Sequence, residues 1–365
     1  MPKISDIIGH LENIAPNSYQ ESYDNSGLLT GDRNWEINGI LISLDCIEKV
    51  VDEAIQKSCN LIVAHHPIIF AGIKRLNGSN YVERTIIKAI KNDIAIYAIH
   101  TNLDNVQHGV NAMIAEKIGL RDTSILAPKS GKLSKLEFFV PHAQKEKVLE
   151  AIHKAGAGMV GNYENCSFQV IGTGTFKPNE RANPAIGSNK KQEYVEEERI
   201  EVIYASHLEG KITAALQKAH PYEEVAYFTI DLNNPHPEVG SGMIGELASA
   251  LSIQDFLNHL KKSMALSCIR YTHSESKTIK KVAICGGAGS FLLKRAKALG
   301  ADAFVSADFK YHEFFDAEDK IMIADIGHYE SEVYTKELLD RFLREKFTNI
   351  ATYLSEVNTN PVKYF

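Results

Sequence analysis

The first third of the chain alternates short apolar runs with amphipathic stretches. Apolar residues recur at helical spacing in segments 47–58 and 80–92 and in a stretch that ends near residue 120, and this spacing predicts three helices. Runs rich in β-branched residues predict buried strands at 39–45, 61–64 and 94–99. Strands that alternate with helices in this way predict a parallel sheet covered by helices.

The last third of the chain repeats this rhythm. Strands are predicted at 281–285, 303–306 and 321–325. Helices are predicted at 291–299, 311–317 and 330–346. A glycine-rich turn, GGAGS at 286–290, separates the first of these strands from the first of these helices. The two ends of the chain are therefore predicted to be two halves of one α/β domain.

The middle of the chain has a different pattern. Four strands (136–140, 167–176, 199–205 and 226–232) and two helices (144–155 and 208–219) are predicted in the order of a ferredoxin-like βαββαβ unit. A turn-rich linker at 233–242 follows. We expect a split α/β domain of residues 1–131 and 233–365, interrupted by an α+β domain of residues 132–232. The charged run 193–201 is predicted to be a solvated strand edge.

Composition limits the possible classes of protein. A chain of 365 residues with 44% hydrophobic and 24% charged residues is typical of a folded globular protein of two or three domains. The net charge of −6 argues against a general nucleic-acid binder. No apolar stretch is long enough to span a bilayer, and the first residues lack a secretory leader pattern. The five scattered cysteines fit a reducing compartment, so we expect a cytoplasmic protein.

Three segments that each follow a predicted strand carry metal-binding side chains. His65 and His66 begin the first segment, directly after the strand 61–64, Asp104 lies in the second, and His328 and Glu332 lie in the third, where the last helix opens. In open α/β sheets ligands collect beyond the carboxyl ends of the strands, so these distant segments are expected to meet at one place. His100 lies beside them and is equally consistent with orienting a ligand and with simple packing.

The five donors suggest two metal ions with open coordination positions. Adjacent histidines in extended backbone point in opposite directions, so His65 and His66 could bind different ions. His328 and Glu332 are four residues apart and share a helix face. Five donors cannot saturate two ions, which leaves positions for water and favours a catalytic centre over a structural one. Zinc is the first expectation, and manganese, iron and nickel accept the same donors.

Several weaker features have two interpretations each. The glycine-rich segment 286–290 could bind a phosphate through its backbone amides or form a tight turn that helps a helix to pack. Asp308 could line the cleft or cap a helix, and Asn25 could line the cleft or form a turn. His220 begins the sequence HPYEE, which indicates a helix end and a turn but no particular chemistry.

Five stretches also resemble a known family. They are YDNSGLLTGD (23–32), AHHPIIF (64–70), AIHTNLD (98–104), HPYEEVAY (220–227) and DIGHYESE (325–332). In this order they resemble the NGG-interacting-factor-like family, whose members are often labelled GTP cyclohydrolase 1 type 2 homologs. The resemblance implies an α/β domain with two metal ions in a cleft between its halves. It also implies an inserted domain similar to the PII/CutA proteins at 132–232 and a trimer-based homohexamer.

The resemblance further implies which residues hold each ion. His66, Asp104 and Glu332 would hold one, and His65, His328 and Glu332 would hold the other. The implied function is a metal-dependent hydrolase that activates water against a small molecule, for example a nucleotide or a phosphoester. The alternative is a non-enzymatic metal-binding or regulatory protein whose insert senses an effector. Neither function involves a membrane, and the net charge makes nucleic acid an unexpected partner.

Overall fold

A computed structural model describes residues 2–365 of the chain. The strands are β1 (Gly27–Thr30), β2 (Ile40–Ser43), β3 (Leu61–Ala64), β4 (Ala95–Ala98), β5 (Arg121–Pro128), β6 (Leu133–Pro141), β7 (Phe168–Phe176), β8 (Glu193–Ala205), β9 (Tyr227–Leu232), β10 (Gly240–Ser252), β11 (Arg270–Tyr271), β12 (Thr278–Ala288), β13 (Ala303–Ala307), β14 (Met322–Asp325) and β15 (Thr352–Leu354). The helices are α1 (Ile4–Ile14), α2 (Glu48–Gln56), α3 (Tyr81–Lys91), α4 (Thr101–Asp104), α5 (Val110–Ile118), α6 (Lys145–Lys154), α7 (Glu209–Ala219), α8 (Ile253–Ser263), α9 (Leu293–Ala298), α10 (His328–Glu332) and α11 (Thr335–Lys346). None of the helices in this described part of the chain has the length and apolar character needed to cross a bilayer.

The chain folds into two compact units. The larger unit consists of the segment that ends at Pro128 and the segment that begins at Glu238. The smaller unit spans Lys129–Pro237 and contains all of the predicted insert, 132–232. The linker that follows the smaller unit is shorter than the predicted range 233–242, because β10 begins at Gly240 and pairs with β5 and β12.

Two mixed sheets form the larger unit. The first has the strand order β1-β4-β3-β2-β15, in which β1 runs antiparallel to β4 and the other neighbours are parallel. The second has the order β11-β14-β13-β12-β10-β5, in which β12, β13 and β14 are parallel and the remaining pairs are antiparallel. The parallel arrangement predicted for the strands of each half is therefore confirmed for β2, β3 and β4 and for β12, β13 and β14, whereas strands that were not predicted make both sheets mixed.

The central strands of the larger unit are buried on both faces. In β2, Ile40 and Ile42 face one hydrophobic cluster while Leu41 faces another. The first of these clusters also contains Val282 and Ile284 from β12, so the two sheets share one core. This double burial explains why these strands have continuous apolar sequences that are easily recognised.

Three predicted elements near the strand ends differ in the structure. The loop expected after β4 contains the short helix α4. The helix expected at 330–346 is divided into α10 and α11. The turn expected at 286–290 begins later, because β12 continues to Ala288, which pairs in parallel register with Ala307. Each difference lies where the chain turns towards the same cleft.

The smaller unit contains an antiparallel sheet of order β7-β8-β6-β9 with α6 and α7 packed on one face. Alternate residues of β6, such as Leu136 and Phe138, are fully buried beneath these helices. The predicted solvated edge at 193–201 is wrong, because β8 lies inside the sheet and pairs with both β6 and β7. Two of its carboxylates, Glu197 and Glu198, are consequently buried.

Candidate metal centre

The three segments that follow the central strands meet at one cleft of about 660 Å³ in the larger unit. His65 and His66 follow β3, Asp104 ends α4, and His328 and Glu332 begin and end α10. Four of these five predicted ligands line the cleft, and His65 lies fully buried beneath it. The side chains are brought together because the parallel strands β3, β4 and β14 deliver them from their carboxyl ends.

One group of donors contains His65, Asp104 and Glu332. His65 Nε2 lies 3.6 Å from Asp104 Oδ1 and 3.9 Å from Glu332 Oε1. His65 Nε2 and Asp104 Oδ1 are both buried without a hydrogen-bond partner among the described residues. Donors about 2.0–2.2 Å from one tetrahedral ion lie roughly 3.3–3.6 Å apart, so the spacing of His65 Nε2 and Asp104 Oδ1 fits a shared cation and Glu332 Oε1 lies slightly farther out.

A second group contains His66, His328 and Glu332. Glu332 Oε2 lies 2.9 Å from His66 Nε2 and 3.0 Å from His328 Nε2, and the two imidazole nitrogens are 3.3 Å apart. Glu332 therefore gives one oxygen to each group. This grouping differs from the one implied by the family resemblance, because His65 lies with Asp104 and His66 lies with His328.

An oxygen atom fixes the ring of each of these histidines. The Nδ1 of His65 donates to the Ile99 carbonyl at 2.8 Å, and the Nδ1 of His66 donates to Asp45 at 2.8 Å. Asp308 accepts from the Nδ1 of His328 at 2.7 Å, so it orients a candidate ligand. Because Nδ1 carries the proton, Nε2 of each ring is the atom that faces the cleft and can coordinate.

His100 belongs to a third group with His65 and His66, whose ligand atoms lie within 4.8 Å of one another. Its ring centroid is 5.3 Å from each of theirs. Its Nδ1 donates to Asp24 at 2.8 Å, and Asp24 also accepts from the Thr101 backbone amide at 2.9 Å. His100 is thus held in the same way as the three predicted imidazole ligands.

The charges in the cluster favour a bound cation. Burial and the neighbouring Glu332 raise the pKa of Asp104 well above its usual range. Burial opposes ionisation of Glu332 as well, but hydrogen bonds from His328 and His66 hold the pKa of its carboxyl well below the usual range. Burial lowers the pKa of His65 to about 3, so its Nε2 stays free of a proton. A buried carboxylate and a neutral imidazole that face each other are a suitable pair of ligands for a divalent ion.

The second group carries protons instead when no ion is bound. Burial works against the charged form of both imidazoles. Hydrogen bonds to Asp45 and Glu332 nevertheless raise the pKa of His66 to about 10. Hydrogen bonds to Glu332 and Asp308 raise the pKa of His328 to about 9. An ion that binds here replaces those protons.

The glycine-rich segment makes room for the cluster. Gly287 has a φ of +60°, and a Cβ atom there would lie 2.5 Å from Glu332 Oε1. The backbone amide of Gly286 already donates to Asn111, and that of Gly287 donates to Ser331. These amides are therefore occupied, which favours the close-packing interpretation of this segment over a phosphate cradle.

Two aspartates that orient histidines were not found from the sequence. Asp45 ends an apolar run and Asp24 lies in the polar stretch 23–32, far along the chain from His66 and His100. The position of Asp45 at the carboxyl end of β2 was a signal, because the same rule located the ligands, whereas Asp24 precedes β1 and had no such signal. Asn25, by contrast, supports a loop, since its Nδ2 donates to the Ile69 carbonyl.

Comparison with known proteins gives a consistent result. The family model described as Duf34/NIF3 (NGG1p interacting factor 3) matches residues 2–361. A protein of Halalkalibacterium halodurans named GTP cyclohydrolase 1 type 2 homolog is 40% identical over 363 residues, which cover 98% of each chain. A Bacillus subtilis protein of the same name is 36% identical over 364 residues, which cover 98% of this chain and 97% of the relative.

Solved structures agree with this result. A crystal structure of a Bacillus cereus protein related to NIF3 has a TM-score of 0.88 at 38% identity, and the match covers 100% of this chain and 99% of that one. A Staphylococcus aureus protein has a TM-score of 0.78 at 31% identity with the same coverage. Since the family model and these relatives span nearly the whole chain, the protein belongs to the Duf34/NIF3 family.

Proposed function

We propose that the cluster holds two divalent metal ions bridged by Glu332 and that the protein is a metal-dependent hydrolase. The observation that carries this proposal is the pair of buried atoms without hydrogen-bond partners, His65 Nε2 and Asp104 Oδ1, which lie 3.6 Å apart. Leaving such atoms buried costs about 1–3 kcal/mol each, and coordination of a shared cation removes that cost. Zinc suits these nitrogen and oxygen donors best, with manganese, iron and nickel as alternatives.

The residues of the chain have separate roles in this proposal. When bound, the ions would supply Lewis acidity that makes water a stronger nucleophile at neutral pH. Asp45 and Asp308 hold the imidazoles of His66 and His328 with Nε2 towards the cleft. Glu332 is fixed by two histidines and offers an oxygen to each group. The donor count leaves positions for a substrate or water in the open cleft.

The cleft is suited to a small-molecule substrate. Its volume of about 660 Å³ lies within the usual range for small-ligand sites. Exposed aromatic side chains from Tyr23, Phe70 and Phe291 line it and offer flat surfaces for a planar group. Together with the name of the curated relatives, this favours a nucleotide or another phosphoester as the substrate.

The proposal is tested by activity of the metal-loaded protein. Purified protein reconstituted with zinc, manganese or iron is assayed against nucleotides and phosphodiesters. The His66→Ala variant should lose turnover, whereas His312→Ala should keep it, because His312 contacts Tyr311 and Phe315 away from the cleft. Absence of turnover with every substrate and metal, or full activity of His66→Ala, would contradict the proposal.

The alternative is a metal-binding regulatory protein without catalytic activity. A second cavity, of about 460 Å³, in the smaller unit favours it because such a cavity could receive an effector. This alternative predicts tight retention of metal and no turnover. It also predicts that an effector which occupies the smaller unit changes metal affinity in the larger one.

A further inference from the structure

The cavity in the smaller unit lies on the face of the sheet that α6 and α7 leave uncovered. Its volume is about 460 Å³, and its walls come from β6, β7, β8, the loop between β7 and β8, and the turn before β9. Phe176 and Tyr222 line it side by side, with their ring centroids 6.0 Å apart and their ring planes inclined at 59°. Phe139 and Ile186 add further apolar surface, together with prolines and alanines of the loop after β7. The cavity therefore offers aromatic faces to whatever enters it.

A buried carboxylate belongs to the polar part of this cavity. Glu197 is 8% exposed, and its Oε1 accepts a hydrogen bond from the Tyr222 hydroxyl at 2.8 Å. Within the described residues, no lysine, arginine or histidine nitrogen lies within ion-pair distance of this carboxylate. A Cβ atom on Gly174 would lie 1.9 Å from Glu197 Oε2, so glycine is the residue that leaves room for the carboxylate. The hydrogen bond from Tyr222 uses Oε1 and leaves Oε2 free within the described part of the chain, so a cation that enters the cavity can pair with this carboxylate.

The HPYEE sequence holds the aromatic wall in place. His220 is 7% exposed, and its Nδ1 accepts from the Tyr222 backbone amide at 3.1 Å. Its Nε2 donates to the Phe139 carbonyl at 2.8 Å, which assigns the neutral tautomer. Both ring nitrogens are used, so His220 is a positioning residue that fixes the turn and directs Tyr222 towards Glu197.

The rim of the cavity is also mainly acidic. Glu223 and Glu224 line it together with a single basic residue, Lys177. A cation that enters meets the buried carboxylate and the faces of two aromatic rings, and rings of this kind attract ammonium groups. We propose that this cavity is a binding site for a small organic cation, an amine that carries an apolar or aromatic body.

The first test uses two probes of equal shape and different charge. Isothermal titration of the full-length protein with 2-phenylethylammonium should show one saturable site per chain. The neutral isostere 2-phenylethanol should bind at least tenfold more weakly, because it lacks the charge that pairs with Glu197. Equal affinity for the two probes, or no binding of the ammonium at millimolar concentration, would overturn the proposal.

Variants locate the binding site. Glu197→Gln keeps the shape of the side chain and should weaken ammonium binding at least tenfold while leaving the weak binding of phenylethanol unchanged. The matched control is Glu196→Gln, because the neighbouring Glu196 is exposed and lies outside the cavity lining. Phe176→Leu removes one aromatic wall and should also weaken binding. Unchanged affinity in both Glu197→Gln and Phe176→Leu would contradict the assignment.

A last variant separates this site from the metal centre. His66→Ala should bind 2-phenylethylammonium as tightly as the unmodified protein, because His66 belongs to the other compact unit. Loss of binding in this variant would place the amine at the metal centre and would show that the cavity is not its binding site. The result does not depend on whether the metal centre is catalytic.

Discussion

At the scale of single residues, the centre is defined by two carboxylates with opposite behaviour. Glu332 stays ionised because two histidines donate to it, whereas Asp104 faces both burial and the charge of Glu332. Folding raises the pKa of Asp104 above its value in the unfolded chain, so ionisation of this carboxyl destabilises the metal-free folded protein. A bound cation turns this unfavourable charge into a ligand.

Replacement of Asp104 by asparagine separates these two effects. The metal-free Asp104→Asn variant should be as stable as the unmodified protein or more stable, because a repulsive charge is removed. Stabilisation by added zinc, about 2.7 kcal/mol at a concentration one hundred times the Kd, should largely disappear. Thermal unfolding with and without zinc measures both quantities. Equal stabilisation of the two proteins by zinc would show that Asp104 is not a ligand.

Metal affinity should depend on pH through the second group. The pKa of His66 is raised to about 10 and that of His328 to about 9, so both rings carry two protons near neutral pH when no metal is bound. An ion must displace one proton from each, and His65, with a pKa of about 3, releases none. Metal affinity should therefore rise about tenfold per pH unit for each proton that the ion displaces. Calorimetry in buffers of different ionisation enthalpy counts these protons.

The same pKa shifts determine how the stability of the metal-free protein changes with pH. A histidine whose pKa is raised by folding stabilises the folded protein fully at pH values below its unfolded-state pKa of about 6.5. For these two histidines the stabilisation is then lost as the pH rises towards about 9 and about 10. A metal affinity that is constant from about pH 6 to about pH 8 would contradict the proton displacement on which both expectations rest.

The sequence identified side chains at this scale better than it identified their supports. All five proposed ligands lie together in the structure. They could be predicted because the strand-end rule needs only the positions at which apolar runs stop, and these can be read from the sequence. Asp45 and Asp24 were missed because each supports a histidine from a distant segment. A hydrogen bond between segments so far apart leaves no periodic pattern in the sequence.

At the scale of elements, β12 brings the backbone close to the cluster. Its last residues run beside α10, and Gly287 lies against both Glu332 and His328. The division of the expected long helix into α10 and α11 places His328 at a helix start that follows Gly327, whose φ is +90°. Short, sharply turned elements therefore control the geometry of the ligands.

Replacement of Gly287 by alanine tests this close approach. The variant should lose about 1–3 kcal/mol of stability from the left-handed backbone alone, and the new methyl group should displace Glu332. Metal affinity should fall together with stability. The control is Gly210→Ala near the start of α7, where no atom lies within 4 Å of the added methyl and the change should be neutral or stabilising. Chemical denaturation and metal titration of Gly287→Ala that match the unmodified protein would contradict the role of this glycine.

The elements that sequence reasoning missed share a physical property. Strands β2, β3 and β4 were predicted because burial on both faces requires continuous apolar residues. Edge strand β1 and most of the long strand β10 were not predicted, and the first residues of β10 were assigned to the linker 233–242, because these strands contain glycine and polar residues. Antiparallel pairing with a neighbour stabilises them without a strong apolar pattern of their own.

At the scale of the whole molecule, the chain joins a unit with a candidate metal centre to a unit with a separate cavity. The sheet of the smaller unit has an uncovered face with exposed Phe168, Phe228 and Ile230. Phe228 and Ile230 lie two residues apart on edge strand β9, whereas Phe168 lies on β7 at the opposite edge. Exposed apolar side chains such as the β9 pair are typical of an interface between protein chains, and self-association through this strand is one contact that the expected homohexamer could use.

Light scattering after size exclusion tests the assembly. The unmodified protein should elute with six times the mass of one chain. Phe228→Asp should reduce the mass, because a charge on the uncovered face would have to be buried at the interface. Phe291→Asp should leave it unchanged, since Phe291 lies at the cleft of the other unit. A monomeric unmodified protein would contradict the hexamer, and it would leave the metal centre unaffected.

Anomalous diffraction from zinc-loaded crystals would show whether two ions share Glu332. Two peaks are expected about 3.5–4 Å apart at the floor of the cleft. One peak should lie between His65 and Asp104, and the other between His66 and His328. A cleft without an anomalous peak, or peaks that lie away from these side chains, would show that Glu332 does not bridge two ions.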